Sequence, residues 1–320
     1  MFSFLKVKIK TKNKKKRKKI SILKIMKVIL LLIIGGMVYS FGVAVSENVR
    51  TNRAIEAFKD RAVFEYEENF EYNPGVFQTR RYYSVSRETS YELEDERSVF
   101  FDTTRKYLGQ KGDIFVTATS PFPTTPFFHQ FMSYYFGGHA AIHTGADNKF
   151  AEATGFPEDD ESVWDIIMQP GNEPNDYSVT ASISGTNYWL NPRYRSENSP
   201  EYPYFGTSYR KDFVVLRVKN ITSDQIDGAV EFATSKADVA LYNFLFFLDM
   251  DYKFYCTDLV TRAFQHVLVD EEDQRNYSKS LNDDGFISSV NDIILSKDTY
   301  ISSYVEVIDG VYYIYYLADI

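Results

Sequence analysis

Residues 28–45, VILLLIIGGMVYSFGVAV, hold no charged side chain, and the first 45 positions contain 12 Lys or Arg and no Asp or Glu. An uncharged run of this length approaches the ~20 residues with which a helix crosses the hydrocarbon core of a bilayer. A positive flank ahead of the first apolar span predicts a cytoplasmic N-terminus and a translocated remainder. A cleaved signal peptide is the rival reading, because GVAVS offers small residues to a peptidase. Both the basic region and the apolar run exceed what such a peptide needs, which favours an uncleaved anchor. The expected order is a basic cytoplasmic tail (1–27), a transmembrane helix (28–45), a juxtamembrane stalk or bracing segment (46–97) and an extracytoplasmic domain (98–320).

Charge divides the chain in the same place. Of 36 basic residues, 12 precede residue 46; the remaining 24 face 44 acidic ones, so the rest of the protein has a formal balance of −20. That balance excludes a nucleic-acid surface there, and the Lys-rich tail suits topology and anionic lipid heads. About 270 residues outside the membrane are enough for one domain with a sizeable core. With 17% aromatic and 44% hydrophobic residues, that part has the material to fold.

Beyond the apolar run, Ala54, Ile55, Phe58, Ala62 and Val63 recur at helical spacing until Asn73-Pro74-Gly75. A second short helix fits DERSVFFDTTRKYL, residues 95–108, stopped by Gly109. The period then changes. GDIFVTATS (112–120), HAAIHTG (139–145) and KFAEATG (149–155) read as strands, and the aromatic stretch between the first two as a loop feeding a short helix. Residues 156–210 lack sustained periodicity and read as a long surface insertion. DFVVLRVK (212–219) restores a strand, and Thr222 with Gln225 forms a capping-box pattern ahead of a helix. YVEVIDGVYYIYYL, with Asp309-Gly310 at its centre, predicts a hairpin.

One cysteine, Cys256, stands where a helix should begin, followed by a stripe of Leu259, Val260, Ala263, Phe264 and Val267. A single thiol makes no internal disulfide, so it is an apolar filler, an intermolecular bridge or a reactive group. In a first helical turn the unpaired amides and the dipole favour a thiolate, and a nearby His lowers its pKa further. A cysteine hydrolase also needs an imidazole and a polar group that orients it. Of the four histidines, His266 lies too far along the same helix and His129 sits in the aromatic stretch. His139 and His143 share one face of a strand but lie about 13 Å apart, so only one can reach the sulfur. If the following hairpin centres between Ala146 and Asp147, Ala141 faces Glu152, and Glu152 lies diagonally across from His139. A one-residue slip would turn Glu152 to the other face.

The segments KGDIFV, GGHAAIHTG, KFAEATG, DFVVLRVKN and FYCTDLVTRAF, in this order, resemble the YiiX/YebB-like branch of the NlpC/P60 superfamily. These are circularly permuted, papain-like cysteine hydrolases in which the histidine strand precedes the cysteine helix. The resemblance covers about residues 98–305, outside the 156–210 insertion. It implies an α+β fold, a permuted papain-like domain with an antiparallel sheet and packed helices after one transmembrane helix. It further implies Cys256 as nucleophile, His139 as general base and acid, and Glu152 as the orienting carboxylate. Thr257 and Asp258 stand where relatives often carry Ser and Glu, and Ala141 where a Gly is common. No cofactor or metal is expected. The implied reaction is hydrolysis of an amide or ester, foremost in cell-wall peptidoglycan peptides. Alternatives are lipid amides or esters, or a catalytically silent, membrane-anchored scaffold.

Overall fold

The computed structural model describes residues 22–120, 126–158, 160–170, 176–185, 187–190, 212–246, 252–274, 280–281 and 287–320. The expected basic tail up to residue 21, and residues 159, 171–175, 186 and 191–210 of the expected insertion, lie outside these. The chain divides into two compact units, Met1–Val43 and Ala44–Ile320.

Of the first unit, the described part is helix. Helix α1 runs Ile22–Lys59 without a break, and it is long and apolar enough to cross a membrane. Its side chains from Ile25 to Phe41 are largely exposed, as a lipid-facing segment requires.

The second unit is mixed α+β, built on a nine-stranded, mostly antiparallel sheet. Its strands in chain order are β1 (Ala62–Asn73), β2 (Val76–Val85), β3 (Ile114–Thr117), β4 (His139–His143), β5 (Phe150–Ala153), β6 (Ala181–Ile183), β7 (Asp212–Val218), β10 (Thr299–Ile308) and β11 (Val311–Leu317), β8 (Leu241–Tyr242) and β9 (Lys253–Phe254) pairing separately. The order across the sheet is β1-β2-β11-β10-β7-β3-β4-β5-β6. Only the β2–β11 pair within it is parallel. The helices are α2 (Ser90–Glu94), α3 (Pro126–Tyr135), α4 (Val163–Met168), α5 (Ser223–Ser235), α6 (Cys256–Leu268) and α7 (Val290–Leu295). α6 packs against α5 and against β4 and β5.

Local signals explain most of these elements. The Thr222 hydroxyl accepts from the Gln225 amide, and the Gln225 side chain returns a bond to the Thr222 amide, so the expected box caps α5. The β10–β11 hairpin turns at Asp309 (φ 52°) and Gly310 (φ 80°), the paired positive dihedrals of a type I′ turn. Leu259, Val260, Ala263 and Phe264 of α6 are buried.

Three expectations fail. Helical spacing ends at Lys59, and Ala62 and Val63 open β1, an antiparallel partner of β2. The segment read as a stalk thus supplies two strands of the main sheet. Residues 95–108 form no helix; Phe100 instead bridges Leu108. The reason is Arg217 on β7, whose side chain is fully buried. Its Nε and Nη2 donate to Asp113 at 2.9 and 3.1 Å, its Nη1 to Asp95 at 3.2 Å, and both Nη atoms to the carbonyls of Arg97 and Ser98. A helix over 95–108 would consume those carbonyls. Burial opposes charge on Asp95, yet Arg97, Arg217 and Tyr300 hold its pKa well below the usual carboxylate range. The third failure is the insertion: α4 and β6 lie within it, and Ile166, Val179 and Trp189 are core residues.

Replacing Arg217 by Leu leaves the fully buried Asp113 with the Gln110 amide at 2.9 Å and Arg97 at 3.6 Å, and should cost up to about 3–5 kcal/mol. Urea unfolding measures this, and adding Asp113→Asn should recover a large part. An unchanged midpoint in the single variant would show that the cluster contributes nothing.

Candidate active site

The hairpin β4–β5 pairs Ala141 with Glu152, Ile142 with Ala151 and His143 with Phe150, the register expected from the turn. Glu152 therefore shares a face with both strand histidines. It lies within reach of His139: Nε2 of the ring is 2.6 Å from Glu152 Oε2. Both side chains are more than nine-tenths buried. A carboxylate only accepts, so Nε2 carries the proton and Nδ1 is the basic nitrogen of the neutral ring.

Two further groups fix this pair. The Tyr188 hydroxyl donates to the same Glu152 oxygen. The Trp189 indole lies nearly parallel to the His139 ring, with centroids 6.0 Å apart and planes at 19°, and also packs on Phe115, Phe150 and Phe213. Neither residue was a sequence candidate. Their only signal is the apolar NYWL at 187–190 inside an otherwise polar segment.

His143 has a different environment. Its Nδ1 accepts the Gly145 amide at 3.0 Å, and its Nε2 faces Asn148 Oδ1 at 2.9 Å. Acceptance at Nδ1 leaves Nε2 as the donor, a neutral and fixed tautomer. Asn187 donates to the same Asn148 oxygen and to the Leu108 carbonyl. Burial lowers the pKa of His143, against the opposing pull of Asn148 and Asp113. This histidine is a structural strut.

Cys256 is the first residue of α6, with Tyr255 as N-cap. It is partly buried against the core. Tyr255 offers no capping side-chain bond, and the positive end of the helix dipole favours negative charge there. Burial pushes the Asp258 carboxyl up to about 8 and the Arg262 guanidinium down to about 10, although the two stand 3.5 Å apart.

Two bridges hold the start of α6 near the start of β4. The Thr257 hydroxyl donates to the Ser288 carbonyl at 2.5 Å, and the Ser288 amide donates to the Tyr255 hydroxyl at 2.9 Å. Two residues on, the Val290 amide donates to the Phe136 carbonyl at 2.9 Å. Independently, the Phe246 ring contacts Phe136 and Tyr255, each with centroids 5.4 Å apart. Cys256 follows directly on Tyr255, and His139 comes three residues after Phe136, the residues that these shared partners clamp. Gly138 is required there, because a Cβ would overlap the Thr119 carbonyl oxygen. Gly137 has φ +86°, and a Cβ on it would meet Val290. Of the other histidines, His266 is exposed near the end of α6 and His129 sits on α3.

Among the described residues no cluster of His, Cys, Asp or Glu could hold a metal ion. No family model, curated protein or solved structure matches the chain.

Two outcomes follow from this geometry. Because the folded pKa of His143 lies below its unfolded value near 6.5, the folded state disfavours its protonation. Its stabilisation is full above pH ~6.5 and is lost as pH falls through that value toward the folded pKa. In His143→Gln the slope of unfolding free energy between pH 6.5 and 5 should flatten, as urea titrations at each pH would reveal; an unaltered slope refutes the assignment. Gly138→Ala should destabilise the domain by at least about 1–3 kcal/mol through overpacking, read as a lowered thermal midpoint.

Proposed function

We propose that this chain is a membrane-anchored cysteine hydrolase of the YiiX/YebB-like, permuted NlpC/P60 type, with Cys256 as nucleophile, His139 as general base and acid, and Glu152 as its orienter. The observation that carries the reading is the line Tyr188–Glu152–His139, buried at its last two members, joined to a strand whose start shares its clamps with the helix beginning at Cys256. Structural histidines seldom need a buried carboxylate with a second donor of its own. A base that must become an imidazolium does, because the carboxylate stabilises the charge that forms.

In this mechanism the Cys256 thiol passes its proton to Nδ1 of His139, and the thiolate attacks the carbonyl carbon of an amide or ester. The tetrahedral oxyanion accepts from backbone amides at the start of α6. Its collapse breaks the C–N or C–O bond while Nδ1–H protonates the leaving group. Water then gives a proton to Nδ1, attacks the thioester and releases the acid, restoring the thiol. Glu152 stays ionised throughout and holds Nε2–H, with Tyr188 fixing the carboxylate. No cofactor enters these steps.

The proposed orientation places the N-terminus in the cytoplasm and the catalytic unit outside, in reach of peptides of the cell wall. A lipid amide or ester is the second reading, favoured by the exposed aromatic rings of α3, Phe127 and Phe131, on the segment leading to His139. Incubating wild type and Cys256→Ala with peptidoglycan fragments and with a phospholipid and N-acyl lipid panel, followed by mass spectrometry, separates the two. Loss of all products in Cys256→Ala is expected, with a fall of roughly 10²–10⁴ in kcat for His139→Ala. A thiol-directed probe should label Cys256 rapidly even at pH ~6 in the folded protein and slowly after denaturation. Labelling at the rate of a free thiol, together with no product from either panel, would identify an inert scaffold instead.

A further inference from the structure

Residues 114–146 contain no Asp, Glu, Lys or Arg, in a chain that is 25% charged. Helix α3 (Pro126–Tyr135) lies in the middle of this stretch. Phe127, Phe131 and Tyr135 recur every four residues and so share one helix face. Phe127 is 90% exposed and Phe131 49%. The Phe131 ring also meets Tyr135 and Phe136, with centroids 5.0 and 5.8 Å apart. A contiguous aromatic face left in solvent marks a surface with a partner.

The attachment of α3 says what that partner is. The Asn48 amide group donates to the Ala44 carbonyl at 2.7 Å and to the Tyr134 carbonyl at 2.9 Å. Asn48 therefore ties the last turn of α3 to the last turn of the apolar run 28–45. Ala44, inside that run, is 4% exposed, whereas Phe41 one turn earlier is 54% exposed. One turn further on, the Thr51 hydroxyl donates to Asn291 of α7 at 2.9 Å. The run spans about 27 Å as a helix, against a hydrocarbon core of about 30 Å. That leaves no slack, so a spanning α1 must put Val43–Val45 at the hydrocarbon boundary. An element bonded beside those residues lies at headgroup depth, where aromatic side chains concentrate and amphipathic helices lie with the apolar face down.

We infer that α3 is a second membrane-contacting element, lying in the lipid interface with Phe127 and Phe131 toward the acyl chains. The segment running from α3 into His139 then forms a lip at the bilayer surface. This rests on α1 as the membrane span and is independent of the hydrolase chemistry.

The test uses the full chain in lipid nanodiscs, with Cys256→Ser as background and one introduced cysteine at a time bearing a nitroxide. Positions 127 and 131 are compared with Ile33 as the lipid reference and Glu271, exposed after α6, as the aqueous one. Collision with oxygen and with a neutral nickel chelate is measured at each. Labels at 127 and 131 should fall between Ile33 and 271 and on the lipid side, with oxygen collisions exceeding those of the chelate, while 271 shows the reverse. If 127 and 131 behave like 271 while 33 reports lipid, α1 is an anchor and the inference about α3 is wrong. If they are shielded from both reagents, protein covers the aromatic face, as in self-association, and the inference is equally wrong. If 33 itself is aqueous, the anchor fails and the inference falls with it.

Discussion

A buried carboxylate is costly unless donors replace the water it loses, and Glu152 meets that condition through two donors. One, the Nε2–H of His139, arrives because β4 and β5 pair with Ala141 opposite Glu152; the other is the Tyr188 hydroxyl from outside the hairpin. A slip of one residue would send Glu152 among Ile142 and the alanines of the opposite face, with neither donor in reach. The register is therefore held from both sides: by the apolar pattern of the strands and by the cost of misplacing one charge. Trp189 adds a third constraint, closing the His139 face with a surface that lets the ring neither tilt nor hydrate freely.

His139 and His143 lie on one strand and one face, yet their bonds give them opposite chemistry. An amide aimed at Nδ1 of His143 removes the lone pair that a base would use, and Asn148 offers an oxygen in place of a charge. Burial lowers its pKa and outweighs the opposing pull of Asn148 and Asp113. At His139 a carboxylate takes the position that Asn148 holds at His143. The separation of roles thus follows from the second bond of each ring, a feature that strand periodicity does not encode.

Elements specified by neighbours in sequence were legible before folding: the three apolar residues that open β3, the capping box of α5, the apolar stripe of α6 and the Asp309-Gly310 turn. So was the pairing of His139 with Glu152, because a short hairpin fixes register by counting. What depends on partners remote in sequence was not. Arg217 takes the carbonyls of 97 and 98 from 120 residues away and replaces an apparent helix with a loop. In β1, an aromatic alternation at Phe64, Tyr66 and Phe70 was present, but Ala54, Ile55 and Phe58 had already set a helical period that α1 follows only to Lys59. Tyr188 and Trp189 were hidden by a polar segment with no period at all, and they reach the site only through tertiary contact.

The start of α6 places an acid, Asp258, two residues from the thiol, and an ionised carboxylate in the first turn would itself occupy the positive end of the helix. Burial opposes that ionisation, pushing the Asp258 carboxyl up to about 8, while Arg262 stands 3.5 Å away. Tyr255, on the other side of the sulfur, is held neutral, its pKa raised first by burial and then by the charge Asp258 would carry. Its hydroxyl is engaged by the Ser288 amide. Of the ionisable groups at this helix end, the thiol is the one that is only partly buried. A charge on the sulfur would therefore lose less hydration than one on either neighbour.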